Sequence, residues 1–474
     1  DDDITLKAGY DFSKTSKVNL SFMRTRFEYN YDPHTYLRDA SGNEVWAYGT
    51  VREASFLSGA GGEINDVYNL SYETQFSDVK AKLSLGLVEQ ETWYVTPGST
   101  ATTTRSGGPG KGNKRPGNSY NADLQLTFPV FERHILTFGG SFRHSKGGEE
   151  QYNLTNWRDE ESETTLAYEA KGKDRTFALF LQDEIIILDN LTAYLGFRQD
   201  WWETYDGYIN QVGTAGYPKN YDSRTASSFS PKAALVYKPF EKTTLRTSIG
   251  KSFRPPAVYE LYVTLTTSGI TYASNPDLKP ETNTSWDIGV EQGLWKGAKI
   301  RATYFENYLE DLIYSKTVTP TYSEKINVGK AESKGVELEA EQRFEKWLRL
   351  FANFTYTNGK ITENEAKPEI KDKRLTYMPE RMFNAGAEFE KGPFFVSLIG
   401  RYVSKRYSND ENKDTVNNVY TSYDPCFVAD AKVSYKLTKS ATVSFSVDNI
   451  FDRDYFAFYK ASGRSWFGEV TFKF

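Results

Sequence analysis

One cysteine, three histidines and three methionines in 474 residues narrow the chemistry before any pattern is read. A lone Cys426 cannot build a disulfide framework or a thiolate metal centre. With so little histidine, and no Ser-His or Asp-His pattern, nucleophile–base chemistry has only His144, near a strand end, as a candidate, and no enzyme is expected. A formal net charge of −5 is small for this length. It provides no field for a polyanion, so no nucleic-acid partner is expected. No run approaches the ~20 consecutive apolar residues of a membrane helix. That excludes helical spans and leaves strand-built ones open, because barrel strands are half polar. No signal peptide is visible before the first strand. The chain therefore reads as mature or further shortened.

Aromatics are plentiful: 15% of the chain, with 33 Tyr, 31 Phe and 9 Trp. They fall into an alternating pattern. In the closing stretch Trp466, Gly468, Val470, Phe472 and Phe474 share one face, and Phe467, Glu469, Thr471 and Lys473 share the other. The preceding strand splits likewise, Val443, Phe445 and Val447 against Thr442, Ser444, Ser446 and Asp448. Nine hairpins with short turns precede the last strand, among them 4–12 with 18–29, 120–130 with 135–144, 177–188 with 191–202, and 298–314 followed by 326–344 and 348–357. By parity every short turn lies on one side. Long polar connections lie on the other, including 30–66, 95–118, 145–172, 254–283 and 315–325. A wall that is apolar outside and polar inside, with short turns on one rim and long loops on the other, is the signature of a transmembrane antiparallel β-barrel. The fold class is all-β, one barrel domain over residues 1–474, located in the outer membrane of a Gram-negative cell. A soluble β-sandwich is the competing reading.

The strand count sharpens this. About nineteen strands are legible, whereas bacterial single-chain barrels have even numbers. The chain both begins and ends on a strand running from loop side to turn side. About three further strands would make twenty-two, the size of transporters with a plugged lumen. The expectation is that an N-terminal plug and about three first strands are missing.

The stretch Ser252-Phe253-Arg254-Pro255-Pro256-Ala257-Val258-Tyr259-Glu260-Leu261-Tyr262, followed by Asn275-Pro276-Asp277-Leu278-Lys279-Pro280-Glu281-Thr282, resembles two boxes of TonB-dependent outer-membrane receptors. Residues 328–339 and Val447-Asp448-Asn449-Ile450-Phe451-Asp452 are similar to two further boxes. Phe474 is similar to the terminal aromatic of barrels inserted by the outer-membrane assembly machinery. The resemblance spans essentially the whole chain. It implies a 22-stranded barrel around an N-terminal plug, energised through the inner-membrane TonB complex by way of that plug. It also implies a scarce chelate as cargo, first a ferric siderophore, with cobalamin or another nutrient as alternatives. A plug-less passive porin is a third reading. Haem ranks below siderophores, because residues 257–274 contain no histidine.

Candidate site residues follow from chemistry. A chelate with aromatic groups needs stacking planes and a few polar anchors. Trp46, Tyr48, Trp93, Trp157, Trp202 and Tyr208 lie in or beside long connections, and Arg254, Tyr259 and Glu260 lie in the first box. Girdle anchoring competes for each ring, most clearly at Trp201-Trp202. Pro255, Pro256, Pro276 and Pro280 remove ladder donors and so mark where strands leave the sheet. Arg254 and Glu260 either bind cargo or pair within the structure. Residues 95–118, carrying Arg105, Lys111, Lys114 and Arg115, read first as a plain mobile loop and second as a basic loop attracting anionic chelates or lipopolysaccharide. Asp32, Asp39 and Glu44 offer oxygen ligands for calcium, without a calcium-loop spacing. Glu337, Glu339, Glu341, Lys432, Lys436 and Arg198 are expected to line the lumen. No resident cofactor or metal is expected. The other expected partners are the lipid bilayer and lipopolysaccharide, and the expected state is a monomer.

Overall fold

The computed structural model describes residues 2–473 apart from 31, 32, 268 and 269. Phe474 and Asp32 lie outside the described residues. A 20-stranded antiparallel sheet dominates. One of its members is the three-residue Lys219–Tyr221, so nineteen strands make the wall. They run as a meander from Asp2–Ser13 to Ser465–Phe472, each wall strand paired with its sequence neighbours. Among the described residues no ladder joins the first strand to the last. No described helix is long and apolar enough to cross a membrane.

Side-chain exposure fixes which face meets what. Leu124, Phe229, Ile249, Ile288 and Leu398 are each 50–55% exposed, although all sit mid-strand. Ladder register puts such residues on one face: Tyr120↔His144, Ala122↔Phe142, Leu124↔Gly140 and Leu126↔Phe138 are all paired. A soluble sheet buries such a face. Here it circles the outside as a continuous apolar surface, which is stable only against lipid. Aromatic rims bound this band. At the loop side Phe177 stacks on Trp201 at 5.7 Å, and His144 Nε2 meets the Tyr205 hydroxyl at 3.0 Å. At the turn side Phe76, Phe131, Phe240 and Trp295 stand largely exposed in or beside short turns.

The inner face carries the charges, paired mostly across strands. Arg301 bridges Glu291 and Glu339, and Arg349 bridges Glu341 and Glu388. Lys432 pairs with Glu469, Lys436 with Glu390, and Arg198 with Asp200. Glu337 stands opposite Thr303.

Three loop expectations are corrected. The strands read from 120 and 177 begin much earlier, as Gly110–Val130 and Glu163–Leu188, and the intervening strand continues to Leu154. Most of 95–118 and 145–172 is therefore tall hairpin. Above the bilayer both faces of a strand are wet, so apolar alternation ceases and no period remains to read. Arg105, Lys111, Lys114 and Arg115 are accordingly engaged with Glu53, Asn153, Glu163 and Glu149. The connection 315–325 is likewise a hairpin, Ile313–Thr319 with Tyr322–Asn327. It is cut from the wall at Asp311 and Gly329, both at positive φ.

Candidate functional site

The prolines of the first box end the strand Thr243–Arg254, and the chain turns into a five-residue helix, Val258–Tyr262. This helix folds against the inner face of the tall hairpins. Its anchor is Tyr262, fully buried between two glycines of neighbouring strands. A Cβ on Gly172 would lie 2.4 Å from the Tyr262 ring, and one on Gly207 would lie 2.2 Å from it. A ladder irregularity at Lys171/Lys173 brings the two glycines to one level. Only glycine leaves room for the ring there. Thr204 Oγ1 donates to the Lys173 carbonyl at 3.1 Å, so the Tyr262 hydroxyl, 2.9 Å away, donates to Thr204. Trp202, Val258, Leu261 and Leu278 complete this cluster.

A second anchor is polar. Glu149 is only 3% exposed and accepts from Arg115 Nε and from the Tyr259 hydroxyl, both at 3.0 Å. Tyr94 adds a longer contact to Glu149, and the Arg115 guanidinium lies 4.8 Å and 5.2 Å from the Tyr94 and Tyr259 rings. Burial, with the Glu149 carboxylate beside it, pushes the Tyr94 phenol up to about 12. The same causes push Tyr259 up. A charged pair sealed by two rings is a latch whose members are costly to separate.

The third anchor joins the two boxes. Arg254 pairs with Glu260 at 2.9 Å and Glu281 at 2.6 Å, and Glu260 also accepts from the Ala257 N–H. Burial opposes ionisation of Glu260, yet the hydrogen bonds from Arg254 and Ala257 outweigh it and hold the carboxyl below its usual range. Asn275 donates to the Lys325 carbonyl, Asp277 N–H closes on Asn275 Oδ1, and Asp277 pairs with Arg224. The strand Ile270–Ala273 runs parallel beside Tyr322–Asn327. Segment 255–280 is thus tied to the wall on one side and to the next loop on the other.

The structure brings Trp202, Arg254, Tyr259 and Glu260 together with Phe253, Pro255, Asn275, Pro276 and Leu278 around this segment. It separates the other sequence-derived candidates. Trp157 donates to the Thr104 carbonyl inside a small loop core with Val95 and Leu154, and Trp46 lies beneath Arg105 at 4.1 Å. The Trp93 ring lies over Gly62. Tyr208 pairs with Lys171 on the outer face, and Tyr48 stands 75% exposed on a loop. Asn449 is a turn former, its side chain clasping both backbone groups of Arg453. Asp39 caps its own turn through Ser41 and Asn43, while Glu44 pairs with Arg38. Sequence reading missed Glu149 and the Gly172–Gly207 slot. The available signal was two glycines interrupting strands, which marks close approach by another group.

A lipid-facing antiparallel wall with a polar interior and a loop folded into its mouth defines an outer-membrane β-barrel. The family model for the β-barrel of TonB-dependent receptor-like proteins matches residues 8–450, and the chain belongs to that family. Among relatives, it is 24% identical over 307 residues to an iron-regulated outer membrane virulence protein of Vibrio cholerae, covering 58% of this chain and 44% of that one. It is 27% identical over 260 residues to a vitamin B12 transporter, BtuB, of the same species, covering 54% and 38%. The chain spans less than half the length of these relatives. Among solved structures, the ferric citrate transporter FecA superposes at a TM-score of 0.76 with 16% identity, over 100% of this chain and 70% of that one. The copper transporter OprC does so at 0.75 with 17% identity, over 100% and 72%.

Proposed function

We propose that this chain is the wall of a TonB-dependent transporter that imports a scarce chelate, with a ferric siderophore as the first candidate. The observation that carries the reading is the width of the wall together with the inward-docked segment 255–280. A wall of nineteen strands is wider than a barrel filled by its own side chains. A plug and about three further strands complete the molecule in this proposal. They give an even count of twenty-two and lie between the unjoined edges Asp2–Ser13 and Ser465–Phe472. The plug receives energy from the inner-membrane TonB complex. The whole protein works as a monomer among lipids and lipopolysaccharide, binds no nucleic acid, performs no catalysis and needs no resident cofactor or loop calcium.

Iron-centred names among relatives and neighbours support the ferric reading, and the histidines argue against haem. His134 meets Asp183, His144 meets Tyr205 on the outer face, and His34 packs on Tyr36. The test is uptake of a radiolabelled ferric siderophore mixture by cells carrying the full-length protein, with native mass spectrometry of protein purified from iron-starved cells. Iron uptake that requires the protein and TonB supports the proposal. A bound cobalamin, or expression that ignores iron, moves the reading to the vitamin B12 alternative named by one set of relatives. Constitutive high conductance of the full-length protein identifies a passive porin instead.

A further inference from the structure

Docking of 255–280 covers a carboxylate that the wall leaves without a hydrogen bond. Asp174 stands two residues along its strand from Gly172, opposite Ser145 on one side and Thr204 on the other. Thr204 holds the Tyr262 hydroxyl, and Asp174 lines one recess with Ala257, Val258 and Tyr259, so the helix Val258–Tyr262 lies over it. This level is above the loop-side rim of Phe177 and Trp201, clear of the bilayer. The other carboxylates that docking encloses are compensated. Glu149 has Arg115 and Tyr259, and Glu260 and Glu281 share Arg254. Asp174 accepts no hydrogen bond and forms no ion pair among the described residues. Its one charged influence is Arg143, at longer range, whose guanidinium bonds to the Ser145 hydroxyl instead.

The remaining charged or titratable groups around Asp174 are engaged with other partners. From the helix, Tyr259 donates to Glu149 and Tyr262 donates to Thr204. From the wall, Arg115 holds Glu149, and Arg224, opposite Thr204, pairs with Asp277. Lys173 and Arg175 point to the outer face and pair there with Asp206 and Glu203, and Lys146 stands opposite Lys173 on that face. Covering an unbonded carboxylate is costly while it is charged. Burial accordingly pushes Asp174 up from its ordinary value of 3.8 to about 6, against the opposing pull of Arg143.

We propose that Asp174 makes the docking of 255–280 respond to acidity: proton uptake by this carboxyl tightens the segment against the wall, and its ionisation loosens it. The hinge is Pro255-Pro256, where the chain leaves the strand Thr243–Arg254. The docked state keeps a proton that the undocked, solvated carboxyl releases. The added docking stability is therefore complete below pH 3.8 and is lost as pH rises through about 6. Glu260, held below its usual range, stays charged above pH 5 and adds nothing to this window. The device goes beyond the transport reading and stands whatever the barrel carries.

The experiment is hydrogen exchange on the full-length protein at pH 5 and pH 8, read at the amides of Leu261, Val263 and Asn275. Protection is taken relative to the unfolded chain at each pH, and amides of the strand Leu348–Glu363 serve as the control for folding. Protection at the three amides should be about tenfold higher at pH 5 than at pH 8. Asp174→Asn should abolish the difference and raise protection at pH 8, by up to about a hundredfold. Arg143→Gln, which removes the cation opposing burial, should move the midpoint to higher pH. Equal protection at the two pH values in the unsubstituted protein overturns the proposal, including the case in which another part of the full-length chain pairs with Asp174. So does a difference that persists in Asp174→Asn, or a midpoint that Arg143→Gln leaves in place or lowers.

Discussion

Tyr262 offers the sharpest perturbation, because its ring fills a slot that two glycines leave open. Tyr262→Ala removes a fully buried aromatic side chain, a change that costs about 3–5 kcal/mol where the cavity cannot collapse. It cannot collapse easily here, since the slot is walled by strand backbone at Gly172 and Gly207. The lost hydroxyl adds about 1 kcal/mol, and no more, because Thr204 keeps its bond to the Lys173 carbonyl. The wall does not depend on the segment, so the whole cost should fall on docking. At tenfold per 1.4 kcal/mol, undocked 255–280 should become about 10³–10⁴-fold more populated. Hydrogen exchange on the full-length protein reads this at the amides of Leu261, Val263 and Asn275, which are bonded to Ala257, Tyr259 and Glu260 carbonyls. Their exchange should accelerate by about 10³–10⁴ in Tyr262→Ala and by less than about tenfold in Tyr262→Phe. Gly207→Ala, whose methyl would meet the ring, should resemble Tyr262→Ala. Unchanged exchange at these three amides in both Tyr262→Ala and Gly207→Ala would refute the anchoring argument.

Three further outcomes follow from other parts of the molecule. Arg254→Ala leaves Glu260 and Glu281 without their shared cation, so chymotrypsin should cut 255–280 faster in intact cells, whereas Arg254→Lys should give an intermediate rate. Leu124→Arg places a charge on the lipid face and should lower unfolding stability by about 2–4 kcal/mol, while Gln125→Arg on the inner face should change it little. The Tyr94 phenol is raised from its ordinary value of 10.0 to about 12. Its contribution to docking is complete below pH 10 and lost as pH rises through about 12. Protection at the amides of 257–263, measured relative to the base-catalysed rate of the unfolded chain, should therefore fall across that window, and it should fall less in Tyr94→Phe.

Wherever lipid imposes a face, the sequence was readable. Val443, Phe445 and Val447 alternate because one side meets hydrocarbon, and the closing ladder Val443↔Val470 and Phe445↔Gly468 follows. Readability stops at the membrane surface. Gly110–Val130 carries Arg115 inward and Lys114 outward, both wet, so nothing in residue type distinguishes strand from loop. The same limit applied to the site. Arg254 and Glu260 stood out as charges beside prolines, but whether they face a ligand or each other depends on where the chain turns back. Trp202 could be placed opposite Trp201 by parity, yet its burial depends on Tyr262 and Leu278, far away in sequence. Trp46 and Trp157 were attractive as stacking planes only while the loops that bury them were unformed.

The account turns on one wall having a lipid side and a water side. Spin labels placed singly along His134–Leu154 of the full-length protein in native outer-membrane vesicles measure this directly. Labels at Leu136, Phe138 and Phe142 should be reached by oxygen and shielded from a nickel chelate. Those at Thr137, Ser141 and Arg143 should show the opposite. Equal accessibility at neighbouring positions, or protection of both sets from both reagents as in a dry two-sheet core, would contradict it.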